Sequence, residues 1–350
     1  MYDCSDDVLA HHNEKVSLPL AERTAMRDRR DANRARLKKG LAEKKKPTPR
    51  EFVKQGSYAM KTMIQHPAKD YDIDDGVYFN KGDLVGDRGA EMSALQARQM
   101  VRDAIDDGSF NTAPEVRSNC VRVHYEAGYH VDLPVYRRVK DPWRSDAYYH
   151  ELASSAWKRS DARDVNDWFE SQNNAQSPDT DNGRQLRRIV RHIKKFAQSR
   201  DSWKGQILKG FGITKLVTEC YRPNALREDK ALYDTMKAIR DRLNWSLVVA
   251  HPVTPGETIT KGTDDPCARF LRDRLTEAIN NLAPLFDHGC TRTVALKCWD
   301  KVFATTFFSE RDATAKAAAA SLLRPASYAP AAPLVFPNAP RVDNKPRGFG

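Results

Sequence analysis

The run Tyr71-Asp72-Ile73-Asp74-Asp75-Gly76-Val77-Tyr78-Phe79 constrains this chain more than any other segment. Side chains alternate across a strand, so Asp72 and Asp74 share one face while Ile73, Val77 and Phe79 share the other. Two carboxylates are thereby held together on a sheet whose opposite face is apolar. A second run, Tyr129 to Tyr136, repeats the pattern: Val131, Leu133 and Val135 face one way and Asp132 the other, so a neighbouring strand can supply a third carboxylate. Three such ligands on a rigid sheet suit hard Mg²⁺ ions, which keep several waters and share oxygens with substrate phosphates.

The pair Gly56-Ser57 precedes Asp72, and the serine is fifteen residues away from it. A glycine ahead of a helix-compatible stretch lets the backbone approach phosphate oxygens, to which N–H groups and the Ser57 hydroxyl donate. Calcium binding of the EF-hand type is excluded by the count. Asp70, Asp72 and Asp74 fall at loop positions 1, 3 and 5, but position 6 is Asp75 instead of glycine and position 12 is Lys81 instead of glutamate. Taken alone, the aspartates also read as an acidic surface turn; in order behind Gly56-Ser57 and ahead of Asp132, they read as a metal-dependent nucleotide site.

At these residues the chain resembles the polymerase β-like nucleotidyltransferases, and more closely the bacterial cyclic-oligonucleotide synthases related to cyclic GMP-AMP synthase (CD-NTases). Gln55-Gly56-Ser57, Asp72-Ile73-Asp74-Asp75-Gly76 and His130-Val131-Asp132-Leu133-Pro134 resemble the family's phosphate loop, metal pair and third carboxylate. Trp157 to Asp161 with Trp168-Phe169, and Leu186 to Lys194, resemble its lobe junction and the first helix of its second lobe. The resemblance implies an α+β fold: a polymerase β-like nucleotidyltransferase lobe with a mixed sheet, plus a helical second lobe, bridged by a long N-terminal helix. It further implies two Mg²⁺ ions on Asp72, Asp74 and Asp132, which are also the catalytic residues, with Gln55, Gly56, Ser57 and Lys194 binding the triphosphate. One departure stands out: relatives often start the next helix with a serine, where this chain has Lys209-Gly210-Phe211-Gly212.

With 350 residues, 40% of them hydrophobic and 30% charged, the chain can bury a substantial core. No apolar run approaches the ~20 residues of a membrane span. The N-terminal Met-Tyr-Asp-Cys-Ser-Asp-Asp has neither the basic nor the apolar region of a secretion signal, so a cytoplasmic protein is expected. Six scattered cysteines without a Cys-x-x-Cys pair argue against a zinc ribbon or a disulfide framework. His66, His124 and His130 read as structural or surface groups. The net charge is +11, and Arg27 to Lys46 holds ten basic and three acidic residues. That segment is compatible with nucleic-acid binding or with a solvated helix face; nucleotide substrates already account for a basic cleft, so nucleic acid is not required.

Along the chain, residues 1–46 read as a patternless start followed by a long helix from about Ala21 to Leu41, ended by Pro47 and Pro49. Residues 47–170 form the catalytic lobe, with a helix at Glu91 to Asp106 and a hairpin around Glu126-Ala127-Gly128. The polar run 171–184 predicts a loop at the lobe boundary. Helices at 185–199, 211–221, 228–243, 265–282 and 291–323 make the second lobe, with Ile189, Ile193 and Phe196 as core. Residues 324–350 are a Pro-rich tail ending in Gly350.

The leading expectation is an enzyme that joins purine nucleoside triphosphates such as ATP and GTP into a cyclic oligonucleotide messenger. The resemblance implies a role in antiphage signalling, a downstream effector that responds to the product, and conjugation through Gly350 by a ubiquitin-transferase-like partner. The alternatives are transfer of a single nucleotide to RNA, protein or a small molecule, and a catalytically silent nucleotide- or RNA-binding module.

Overall fold

The computed structural model describes residues 1–67, 69, 71–86, 89–126, 128–144 and 147–322. The tail 324–350, with Gly350, lies outside them. In chain order the helices are α1 (Ser5–His11), α2 (Leu20–Glu43), α3 (Gly56–Ala59), α4 (Ala94–Ile105), α5 (Ala162–Gln176), α6 (Gln185–Ala197), α7 (Gly210–Cys220), α8 (Glu228–Trp245), α9 (Pro266–Asn281), α10 (Arg292–Phe303) and α11 (Phe307–Leu322). The strands are β1 (Glu51–Gln55), β2 (Tyr71–Asn80), β3 (Glu115–Val116), β4 (Val121–His124), β5 (Tyr129–Leu133), β6 (Val135–Lys140), β7 (Tyr148–Ala153) and β8 (Trp157–Arg159).

The eight strands make one mixed sheet. β1 runs antiparallel to β2, whereas β5 and β6 both run parallel to it. The pairs Asp74–Asp132 and Val77–Val135 keep one register, so Tyr129 to Lys140 is a single strand interrupted only at Pro134. Proline has no N–H to give to a ladder, but its carbonyl still accepts from Val77 N at 2.8 Å. The antiparallel pairs β3–β4–β5 and β6–β7–β8 extend the sheet from the two halves of this strand.

The apolar faces foreseen by alternation are buried. Ile73, Val77, Phe79, Val131 and Val135 are fully inaccessible, and pack with Met26, Leu37 and Leu41 of α2 and with Ala97, Val101 and Ile105 of α4. Ser93 and Gln96 form a capping box that starts α4. The two helices cross so closely that a Cβ on Gly40 would overlap the Ala104 carbonyl, so Gly40 sets their approach.

A second core belongs to the helices. Ile189, Ile193 and Phe196 of α6 sit in it as expected, with Leu232 and Met236 of α8, Leu271 of α9 and Trp299 of α10. Three local expectations need correcting. Residues 1–16, which lack a visible pattern, form α1 and a π-helical turn (His12–Val16), and Cys4 and Val8 enter the helical core. The N-terminal segment therefore reaches both lobes: α1 packs on the helical core, and the buried apolar positions of α2 pack on the sheet core.

The polar run 171–184 is helical through Gln176. Its buried Asn173 accounts for this: Nδ2 donates to the Gly183 carbonyl and Oδ1 accepts from Arg187 N, tying α5 to α6 with specific bonds that a polarity count cannot distinguish from solvation. Phe169 of α5 already belongs to the helical core. The run 291–323 is two helices, because Ala304 adopts a left-handed conformation (φ +50°) and the Asp300 carboxylate accepts from Phe308 N and Ser309 N, starting a new helix.

Candidate active site

β1 delivers Gln55-Gly56-Ser57 to the first half of β2, where Gln55 pairs with Asp74. Gly56 turns the chain at φ +64°, and a Cβ there would overlap Asp74 Oδ2. Gly56 and Asp74 are therefore in contact. Gln55 is buried, and its Oε1 accepts from Tyr136 Oη at 2.9 Å, which fixes the entry to the loop.

The aspartates are a feature of a central strand, not of a surface turn. Asp72 is exposed, Asp74 half-buried and Asp132 buried. Burial first, and then the neighbouring Asp132 and Asp72, push the Asp74 carboxyl up to about 7, against a downward pull from Arg122. Asp132 is turned onto Arg122, whose Nε and Nη2 donate to its two oxygens at 2.7 Å each. The same Nη2 lies 3.5 Å from Asp72 Oδ1, and His130 Nδ1 lies 3.4 Å from that oxygen. Asp75 points to the other face, fully buried, and is held by Arg34 of α2 through bonds of 2.6 and 2.5 Å.

Among the described residues, no three His, Cys, Asp or Glu side chains converge tightly enough as they stand to hold a metal. The donors nevertheless fit a hard divalent cation: carboxylate oxygens on rigid strands, crowded enough that one is driven towards its neutral form.

Gln55, Gly56, Ser57, Asp72, Asp74 and Lys194 line one cleft of about 1080 Å³ between the sheet and the helices. Asp132, in register with Asp74 on the neighbouring strand, is not among the residues that line it. Lys194 is buried; its Nζ donates to Thr62 Oγ1 at 2.9 Å and to the Thr62 carbonyl at 3.2 Å, just after the phosphate loop. Burial, then the nearby Arg191, lowers its pKa to about 7. Gly210, where relatives often have serine, is the first residue of α7, and a Cβ there would meet Lys194 Cε at 3.4 Å.

Other cleft residues lie outside the glycine and aspartate motifs: Arg159 and Asp161 fall in the lobe-junction segment and Phe211 beside Gly210, whereas Tyr149, His150 and His251 escaped the sequence reading. On the sheet side, the Arg159 guanidinium lies 4.9 Å from the Tyr149 ring, and His150 Nδ1 lies 2.9 Å from Asp161. Burial works to raise the Asp161 carboxyl, but hydrogen bonds from His150 and Arg163 outweigh it and hold it low. On the helical side, the Phe211 and His251 rings are 5.5 Å apart. Tyr149, His150 and His251 carry no local motif. The arginines of the basic segment are largely engaged within their own lobe: besides Arg34, Arg36 pairs with Asp107 and Arg29 stacks on Tyr129.

Residues 50–136, which carry all three aspartates and the phosphate loop, match the family model described as the cyclic GMP-AMP synthase DncV-like nucleotidyltransferase domain. A curated relative, the cyclic GMP-AMP synthase of Escherichia albertii, is 25% identical over 236 residues. That alignment covers 65% of this chain and 49% of the relative, so the chain spans about half the length of the curated relative it matches. Among solved structures, Vibrio cholerae DncV cyclic AMP-GMP synthase in complex with the linear intermediate 5′ pppA(3′,5′)pG superposes with a TM-score of 0.68 at 17% identity. It covers 87% of this chain and 96% of that one. E. coli MS115-1 CdnC with ATP superposes with a TM-score of 0.62 at 16% identity, covering 87% of this chain and 98% of that one. At these identities the superpositions speak for the fold. A DncV-like nucleotidyltransferase domain over residues 50–136 is thus set in a fold shared with DncV and CdnC, which supports the resemblance to the bacterial CD-NTases.

Proposed function

We propose that this chain condenses nucleoside triphosphates into a cyclic di- or oligonucleotide second messenger, releasing pyrophosphate at each bond, with Mg²⁺ held by Asp72, Asp74 and Asp132. One observation carries the reading: Asp74 touches the phosphate-loop glycine on one side and is the register partner of Asp132 on the other. The place for a triphosphate and the place for a cation thus coincide. Bound divalent ions neutralise phosphate charge and acidify an attacking hydroxyl.

The chain's own groups do the positioning. The Gly56 backbone and the Ser57 hydroxyl orient the donor triphosphate, Gln55 is locked by Tyr136, and Lys194 at the cleft wall offers a cation to the phosphates. Asp132 helps activate the acceptor 3′- or 2′-hydroxyl. The acceptor hydroxyl oxygen, its proton released to solvent, attacks the donor α-phosphorus as the bond from that phosphorus to the α–β bridging oxygen breaks, and pyrophosphate leaves. A cleft of about 1080 Å³ is at the top of the range for small-molecule sites, which leaves room for donor and acceptor side by side.

Purine substrates, ATP and GTP, are in keeping with the ATP named for the solved CdnC complex and the pppA(3′,5′)pG intermediate named for that of DncV. The product would act on a separate effector in antiphage signalling, within the cytoplasm. No helix among the described residues is long and apolar enough to cross a membrane. Incubating the purified chain with labelled triphosphates and Mg²⁺ alone tests the activity. A phosphatase-resistant product without any added acceptor is expected; label that appears only on an added RNA, protein or small molecule would favour single-nucleotide transfer instead.

A further inference from the structure

Arg122 stands in the aspartate cluster without a place in the scheme above. It lies on β4 directly opposite Asp132, and its fork takes both carboxylate oxygens at 2.7 Å. Its Nη2 also approaches Asp72 Oδ1 at 3.5 Å, so one guanidinium lies between two of the three carboxylates. A divalent cation shared by these aspartates would need the same oxygens. The third carboxylate, Asp132, is buried and has no route to relief by solvent, which makes its partner decisive for where it points.

We propose that Arg122 is a built-in competitor of the metal: it occupies Asp132 and restrains Asp72 until a divalent ion displaces the ion pair and frees Asp132 to turn towards Asp74. The inference rests on the aspartates being the metal site. Arg122 is thus a positioning residue that acts through Asp132. It offsets the mutual repulsion of the carboxylates in the empty site, and it makes loading harder than three bare carboxylates would. Loading then favours the moment when a nucleotide brings further oxygen ligands to the ion, since Mg²⁺ sites of this kind complete their shell with substrate phosphates.

The alternative is that Arg122 orients Asp132 for the metal, as outer-shell partners commonly do, in which case its loss weakens binding by about 10–100-fold. Competition predicts the opposite sign. The test is Mn²⁺ binding by the full chain, measured by calorimetry or electron paramagnetic resonance with a nonhydrolysable ATP analogue, for the wild type, R122M, R122K and D72A/D74A.

Competition predicts that folded R122M binds Mn²⁺ at least about tenfold tighter than the wild type. R122K, which keeps a charge but loses the fork, should lie between them, and Mn²⁺ should raise the melting temperature of R122M more than that of the wild type. Equal or weaker binding by folded R122M overturns the proposal. Should R122M fail to fold, R122K decides alone: tighter than wild type supports competition, unchanged or weaker overturns it. A wild type that binds no more Mn²⁺ than D72A/D74A would instead overturn the metal-site reading beneath it.

Discussion

Gly56 leaves open the space that Asp74 Oδ2 fills: with φ +64° and no side chain, it lets the central carboxylate reach the turn of the phosphate loop. Gly56→Ala removes both conditions at once. The left-handed backbone costs an alanine about 1–2 kcal/mol, and the new methyl group displaces Asp74. The expected result is loss of product beyond what the modest loss of stability explains, checked by thermal melting beside a turnover assay.

Asp74 carries a charge that the metal-free fold disfavours. Its folded-state pKa, raised to about 7, lies above the ordinary aspartate value. Between about pH 4 and 7 the folded chain therefore holds a proton that the unfolded chain has lost, and its stability falls as pH rises through that window. Asp74→Asn removes the penalty. Without metal at pH 8 it should be more stable than the wild type by on the order of 1–3 kcal/mol, while making no product. Urea unfolding at pH 5 and pH 8 measures the difference, which should shrink at the lower pH.

Lys194 behaves in the converse way. With its pKa lowered to about 7, the folded chain lacks a proton that the unfolded chain keeps between about pH 7 and 10.5. The stability of the nucleotide-free protein therefore rises across that window, and the penalty is fully present below it. A bound triphosphate favours the ammonium, so nucleotide affinity should decline above pH 7, by at most about tenfold per pH unit. Calorimetric titration with a nonhydrolysable analogue should show this slope in the wild type and its loss in Lys194→Met.

Asp75 separates structure from chemistry within one motif. It adjoins Asp74 but is fully buried and bonded to Arg34 on the far face. Asp75→Ala leaves a guanidinium without its partner and should cost about 3 kcal/mol. Activity per folded molecule should hold, in contrast to the Asp74 variants, as read by active-site titration against melting temperature.

The Asp72/Asp74 pattern was legible because strand alternation is a local rule, and the burial of Ile73, Val77 and Phe79 on the opposite face bears it out. The same rule put Asp132 on the polar face of a second strand; that this strand lies beside β2, with Asp132 in register with Asp74, is seen only in the fold. It could not reveal that Asp75 needs Arg34, 41 residues earlier, or that Arg122 would claim Asp132, because an ion pair leaves no periodic trace. The aromatic and basic cleft walls were hidden for the same reason: Tyr149, Phe211 and His251 meet only once the lobes are folded. The helices expected at 185–199 and 228–243 are found at Gln185–Ala197 and Glu228–Trp245, because the apolar spacing that marks them is local. The break at Ala304 was not, since it depends on one carboxylate capping a helix eight residues on.

The most direct test of the account is mass spectrometry of the products formed by the purified chain from all four nucleoside triphosphates and Mg²⁺, run beside D72A/D74A. The account predicts a cyclic oligonucleotide and released pyrophosphate from the wild type, and neither from a folded double variant with an unchanged circular dichroism spectrum. A cyclic product that persists in the double variant, or a wild type that yields only singly nucleotidylated acceptors, would contradict it.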